Sequence, residues 1–224
     1  TLSRLIFASI TLSTKAEIKP YEGIKRVEFG IYRNNEHIGT HTLSFERSES
    51  ELVVRSEINI EIEMFGIVLY KYHLIGSEVY KDSKLTKFNS TTNHNGKSKY
   101  VNMILENNKY IIDGSSYKGE ASPEVLIGTW WNHSLVQAKA QISAASGRII
   151  KQKVKFLGKE TIKFGEKSYD TLHFNFSSTD KKLSKGKRLN TDVWYDEKTL
   201  NWVKASFKNK GKWEYKLVSI DKNL

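Results

Sequence analysis

The chain is predicted to be all-β: an antiparallel meander of about twelve strands curled into a barrel or half-barrel, with a helical or irregular cap over residues 121–147. Three observations carry that expectation. Apolar and polar residues alternate along most of the chain, the two-residue period of a half-buried strand. Clusters of Asn, Asp, Gly and Ser recur between the alternating runs, as tight antiparallel connections require. One stretch, ASPEVLIGTWWNHSLVQAKAQISAASG at 121–147, breaks the alternation and holds Pro123, one of the chain's 2 prolines, and the adjacent Trp130 and Trp131.

Residues 25–33 open the pattern, with Val27, Phe29 and Ile31 on one face and Glu28 between them. Asn34-Asn35-Glu36 turns the chain and residues 37–47 return as the second strand. After a turn at 48–50, residues 51–64 put Ile58, Ile60, Ile62 and Met64 on one side and Glu57, Asn59, Glu61 and Glu63 on the other. Strands at 65–80 and 85–92 follow, separated by a turn at 81–83. Asn95-Gly96 is the strongest hairpin signal, because a type I′ turn needs positive φ at both central positions. Strands at 100–106 and 110–117, joined at Asn107-Asn108, complete the first half. Beyond the cap, strands at 149–157, 160–164, 169–177, 188–195, 201–208 and 212–220 form the second. Evenly spaced short strands without intervening helices exclude βαβ units. An open sheet of this size exposes its edges, and curling or closing it covers them.

Residues 1–16, TLSRLIFASITLSTKA, read differently: Arg4, a short apolar run and then small residues. That is the layout of a secretory signal peptide, its start clipped, with cleavage after Ala16 and a single domain over 17–224. The expected location is periplasmic or secreted. Nothing approaches the roughly 18–20 apolar residues of a membrane-spanning helix. The absence of Cys excludes disulfides, thiolate metal sites and a Cys nucleophile. Net charge is +11, and residues 113–224 carry +9 of it (21 Lys/Arg against 12 Asp/Glu). Such a surface favours anionic partners, here an envelope polymer or lipid head group. Nucleic acid is not expected: no recognition helix or aromatic–basic stacking motif is readable.

Four stretches carry a family resemblance: LYKYHLIGSEVY (69–80), NHNGKSKYV (93–101), TWWNHSLV through ASGRI (129–149) and DVWYDEKTLNWVKASFKNKGKWEYKL (192–217). In their order the chain resembles a family of uncharacterised exported β-rich proteins of Gram-negative bacteria, catalogued as domains of unknown function. The resemblance implies an exported β-barrel-like domain and no particular activity.

The residue-level candidates are aromatic. Trp131, His133 and Asn132 in the cap, with Tyr70, Tyr72, Trp194 and Trp202 on strands, are the expected lining of a ligand cavity, since barrel mouths are favoured sites for one. The competing reading makes Trp130 and Trp131 a packed plug. Lys181, Lys182, Lys185, Lys187 and Arg188 are the expected contact with an anionic surface. No catalytic residue is assigned: Ser134 lacks a nucleophile elbow, and an enzyme would need His133, Asn132 and Asp196 to converge. Gly96-Lys97-Ser98 lacks the upstream glycine of a phosphate loop, Thr91 standing there. His37 and His41 lie roughly 13 Å apart on a strand at ~3.3 Å per residue, too far for one metal ion. No metal or cofactor is expected. The function expected is therefore binding of an apolar or amphipathic envelope molecule without catalysis. The alternative is a structural or assembly protein with a packed barrel that acts through protein partners.

Overall fold

A computed structural model describes residues 21–184 and 188–223. The expected signal peptide at 1–16, and Lys185 and Lys187 of the basic run, lie outside the described residues.

The described chain forms one 15-stranded sheet. Its first arm is a meander: β1 (Ile24–Arg33), β2 (Glu36–Arg47), β3 (Glu51–Met64), β4 (Ile67–Lys81), β5 (Lys84–His94), β6 (Lys97–Glu106), β7 (Lys109–Gly114) and β8 (Tyr117–Ala121). The second arm runs back from the C-terminus: β15 (Lys212–Lys222), β14 (Trp202–Lys208), β13 (Asn190–Asp196), β12 (Lys167–Ser178), β11 (Ile149–Phe164), β10 (Ala140–Ile142) and β9 (Leu126–Ile127). β1 and β15 pair antiparallel and join the arms, while β8 and β9 stand at opposite ends of the strand order. The sheet is curled and open, a half-barrel in the terms of the sequence expectation.

The tight turns follow from their residues. Asn34-Asn35, Phe65-Gly66, Asp82-Ser83, Asn95-Gly96 and Asn107-Asn108 all have positive φ at both central positions, the I′ geometry whose twist matches the flanking strands. The strand count exceeds twelve because β8, β9 and β10 are short pieces around the cap. In contrast, residues 149–164 form one strand where the sequence suggested two. Gly158, at φ +136, makes a bulge opposite His173 and lets β11 continue through it.

Successive turns alternate between two ends of the sheet. One end, the upper rim, carries the turns at 34–35, 65–66, 95–96, 115–116, 143–147 and 209–211 and the β12–β13 connection. The lower rim carries those at 48–50, 82–83, 107–108, 165–166 and 197–201. Alternation along each strand turns Phe29, Ile31, Leu43, Phe45, Val54, Phe88, Val101, Met103, Phe176, Val193 and Tyr195 inward as one apolar core.

Candidate functional site

The cap lies inside the curl. From β8 the chain crosses to β9, forms a 3₁₀ turn at His133–Gln137, and returns through β10 and a turn at 143–147. Asn132 caps the 3₁₀ turn, its Oδ1 accepting from the Ser134 N–H at 3.0 Å. Leu135 is fully buried. Gln152 of β11 donates to the carbonyls of Leu135 (3.2 Å) and Ala138 (2.9 Å), and its Oε1 accepts from Gln141 at 2.7 Å. On the other arm, Ser90 Oγ donates to the Ala144 carbonyl at 2.5 Å and the Ser116 N–H to the Ser146 carbonyl at 2.9 Å. The cap thus bridges the two arms, which no strand pairing closes.

A carboxylate anchors it. Glu78 points inward from β4 and is buried. Its Oε1 accepts from Thr129 Oγ1 (2.9 Å) and Trp131 Nε1 (2.8 Å), and its Oε2 from the Tyr80 hydroxyl (2.5 Å). Burial raises the Glu78 pKa above 4.5 against the pull of these three donors. Burial likewise raises the Tyr80 hydroxyl, with the Glu78 charge adding to it. Trp131 packs edge-on to Tyr21, Phe45 and Tyr80 at 5.7–6.0 Å between ring centres.

The adjacent tryptophans point to different spaces. Trp131 and Asn132 floor an open hollow of ≈ 540 Å³ at the lower rim, edged by Glu22, Glu49, Glu51 and Asp82. Trp130 lines a smaller cavity of ≈ 220 Å³ beneath the upper turn at 143–147. The smaller space is the more apolar: its walls are Ile58, Tyr72, Leu74, Ile150, Leu189 and Tyr215, with His41, Ser56 and Gln141 as polar points. The larger hollow is rimmed by solvated turn carboxylates.

Two ring nitrogens on residues lining the upper cavity are buried without a hydrogen-bond partner, Trp130 Nε1 and His41 Nδ1. Trp130 sits at φ +56, a conformation that costs a bulky residue roughly 1–3 kcal/mol. Its indole meets Trp202 and Tyr215 edge-on, both at 5.5 Å. The other nitrogen of His41, Nε2, lies 2.8 Å from Ser56 Oγ. Burial lowers the His41 pKa to about 3, so the ring is neutral. If Ser56 donates to Nε2, Nδ1 carries the proton and donates; with the roles reversed, Nδ1 accepts.

The structure distributes the other sequence candidates as follows. Tyr72 lines the upper cavity, and its hydroxyl pKa is raised by burial first and by Tyr70 second. Tyr70 is half-buried near it, edge-on to His94 (5.3 Å) and Trp213 (6.0 Å). Trp202 is buried behind Trp130 and stacks on Phe29 at 3.8 Å. His133 meets Tyr195 edge-on at 4.8 Å, its pKa lowered by burial. Trp194 lies on the outer face of β13, stacked on His173 at 4.2 Å, donating to Glu160 Oε1 at 2.5 Å and covered by Lys204. It does not share a space with Tyr72. Among the described residues Asp196 Oδ1 accepts within its own turn, from Lys198 N, Thr199 N and Thr199 Oγ1. Lys181, Lys182 and Arg188 are exposed at the upper rim, Arg188 holding the carbonyls of Lys181 and Leu183.

Ser56, Gln141 and Glu78 escaped the sequence reading, and His41 entered it only as a metal ligand too far from His37. The available signal was parity: His41 shares its face with Leu43 and Phe45, and Glu78 with Leu74 and Tyr80, so each is a polar residue in an inward position. Among the described residues no group of three His, Cys, Asp or Glu is placed to hold a metal ion. Among the described residues no helix is long and apolar enough to cross a membrane.

This fold and interior define a class of protein, a β-barrel-like domain with a plugged, curled sheet. The chain belongs to the family described as Domain of unknown function (DUF6134), which matches residues 29–218. It is also similar in structure to a β-barrel-like protein of domain of unknown function DUF1849 from Brucella abortus. The two share 10% identity with a TM-score of 0.64, over 89% of this chain and 99% of that one. That likeness shows the fold. No curated protein matches the sequence.

Proposed function

We propose that this chain is a non-catalytic binding protein for a small apolar or amphipathic molecule of the cell envelope, held in the upper cavity. The observation that carries the reading is a largely apolar space with a few polar points, lined by two residues whose buried ring nitrogens, Trp130 Nε1 and His41 Nδ1, have no hydrogen-bond partner. A buried polar group without a partner costs about 1–3 kcal/mol. A ligand with a hydroxyl group beside an apolar body fills the space and, where the walls shift to admit it, gives such a nitrogen a partner. At ≈ 220 Å³ the cavity holds the volume of about seven waters at ~30 Å³ each, so it accepts a short chain or one end of a longer one. The exposed Lys181, Lys182 and Arg188 are at the same end and favour an anionic head group there. An exported setting is the expectation from residues 1–16, and N-terminal sequencing of the protein from its native source tests it.

Native mass spectrometry of that material, followed by organic extraction, tests the binding. A bound amphiphile that is lost on Trp130→Ala, with the melting temperature of the protein retained, supports the reading. A ligand-free mass together with no binding of short-chain alcohols or fatty acids overturns it. That result favours the second reading, an envelope structural or assembly protein acting through protein partners, which the small volume of the cavity and the dense packing of Trp131 and Trp202 favour.

A further inference from the structure

We infer that the β3–β4 hairpin is a wedge by which the protein docks on an anionic lipid surface. The inference goes beyond the binding reading and stands whether or not the cavity holds a ligand. At the hairpin tip, Met64, Phe65, Ile67, Val68 and Leu69 are each half or more exposed, Phe65 by 96%. They are nearly consecutive, so both faces of the ribbon are apolar. The tip also stands clear of its neighbours. Pairing of β2 with β3 stops at Gly39 and Ile60, and pairing of β4 with β5 stops at Tyr72 and His94. Only Ile62 and Tyr70, at the base, pack back on the core.

Local chemistry argues against incidental exposure. Of the five I′ turns, four are built from Asn, Asp, Ser and Gly, and the fifth puts Phe65 at φ +52, where a bulky side chain is strained. A long apolar edge in water also invites aggregation. A convex two-faced wedge fits poorly into a protein groove and well into a bilayer, whose hydrocarbon surrounds it.

Charge identifies which surface. Lys97, Lys181, Lys182, Lys208 and Lys210 are exposed in turns or at strand ends on the same rim as the wedge. Several acids at this end are already engaged by lysines: Glu61 pairs with Lys71 at 2.9 Å, Asp113 with Lys118 at 2.8 Å, and Glu214 with Lys204, Lys212 and Lys216, while Glu36, Glu63 and Asp180 are exposed. A protruding apolar element on a rim that carries exposed lysines matches an anionic interface, where apolar burial and electrostatic attraction add.

Co-sedimentation of the purified chain with vesicles tests this. Wild type is expected to bind mixed phosphatidylcholine–phosphatidylglycerol vesicles, less at about 1 M salt than at about 0.1 M, as the screening length falls from ~10 Å to ~3 Å. Burying one such side chain favours the buried state by roughly ten- to a hundredfold. The double variant Phe65→Asp/Ile67→Asp is therefore expected to lose about a hundredfold in partitioning, with unchanged circular dichroism and melting because both sites are exposed. Lys208→Ser/Lys210→Ser is expected to bind more weakly to the anionic vesicles alone. Failure of wild type to bind, or equal binding by the Asp variant, overturns the wedge. Equal binding to phosphatidylcholine alone overturns the anionic preference. A wild-type dimer that the Asp variant dissociates makes the hairpin a contact between copies, and overturns the inference as well.

Discussion

Replacing Glu78 by leucine tests whether a buried carboxylate holds the cap to the sheet. Three donors converge on this side chain: Tyr80 Oη at 2.5 Å, Trp131 Nε1 at 2.8 Å and Thr129 Oγ1 at 2.9 Å. Leucine accepts from none of them. Stranding each buried donor costs about 1–3 kcal/mol, so the variant is expected to lose ~3–9 kcal/mol, less the desolvation of the carboxylate that it no longer suffers. Against a typical total of about 5–15 kcal/mol that is a large fraction of the stability. Glu78→Gln behaves differently. Its Oε1 keeps two of the bonds and its amide donates to the Tyr80 oxygen once that hydroxyl rotates, so the network survives with no charge buried. Because burial raises the folded pKa above the ordinary 4.5, the folded protein binds the proton more tightly than the unfolded chain. Wild-type stability relative to Glu78→Gln is therefore greatest below pH 4.5 and is lost as pH rises through the folded pKa, at no more than ~1.4 kcal/mol per pH unit. Urea unfolding of the three proteins between pH 4 and 8 measures both effects. A Glu78→Leu protein within about 1 kcal/mol of wild type refutes the anchor, and a wild-type advantage over Gln that grows with pH refutes the raised pKa.

Four further outcomes follow from particular contacts. Trp131→Ala empties a site packed by Tyr21, Phe45 and Tyr80; it is expected to lose about 3–5 kcal/mol in chemical denaturation, a structural loss that would mask any change in ligand retention. His41, with its pKa lowered from 6.5 to about 3 by burial, makes the fold lose stability as pH falls from 6.5 toward 3, by up to ~1.4 kcal/mol per unit; His41→Leu should flatten that part of the acid-unfolding curve. On the outer face, burial pushes the Glu214 carboxyl up but Lys212, Lys204 and Lys216 outweigh it, and its pKa lies below 4.5. Its contribution is present above pH 4.5 and lost below, so Glu214→Gln should cost stability at pH 7 and converge with wild type in acid. At Gly39 an added Cβ would sit 2.0 Å from the Asn59 carbonyl oxygen and 2.8 Å from Ile60 Cα; since backbone cannot yield as a side chain does, Gly39→Ala is expected to cost about 3 kcal/mol or more, read as a fall in melting temperature.

Much of the fold was legible because strand geometry is written locally. Side chains alternate with period two, so inward and outward sets such as Val27, Phe29 and Ile31 against Glu28 can be read from any few residues. Turn chemistry is equally local: Asn95-Gly96 and Asn107-Asn108 are where positive φ is cheapest, and both are tight turns. The break in alternation at 121–147 marked the cap for the same reason. Gly158 misled because a bulge and a turn use the same residue; only the pairing of β11 with β12 on both sides of it distinguishes them.

The candidate site was less legible because it depends on which distant strands meet. Aromatic character singled out Trp131, yet the neighbouring Trp130 lines the upper cavity, since adjacent residues in an irregular segment point apart. Trp194 sits among aromatics in sequence, but its alternation with the inward Val193 and Tyr195 leaves it outside, against His173 and Glu160. His41 and Glu78 were recoverable only by asking why a polar residue occupies an inward position. Their partners, Ser56 and the Thr129–Trp131 pair, arrive from other strands and from the cap.

Composition, period and turn residues were therefore sufficient for the all-β class, the antiparallel meander, the cap and the basic surface, because each is set by interactions within a few residues. The closure of the curl by the cap instead of by β8 and β9, the burial of Glu78, the cavity at Trp130 and the clear-standing β3–β4 tip were decided by tertiary structure. Each depends on strand registers and on which residues, far apart in the chain, are brought within a few ångströms of one another.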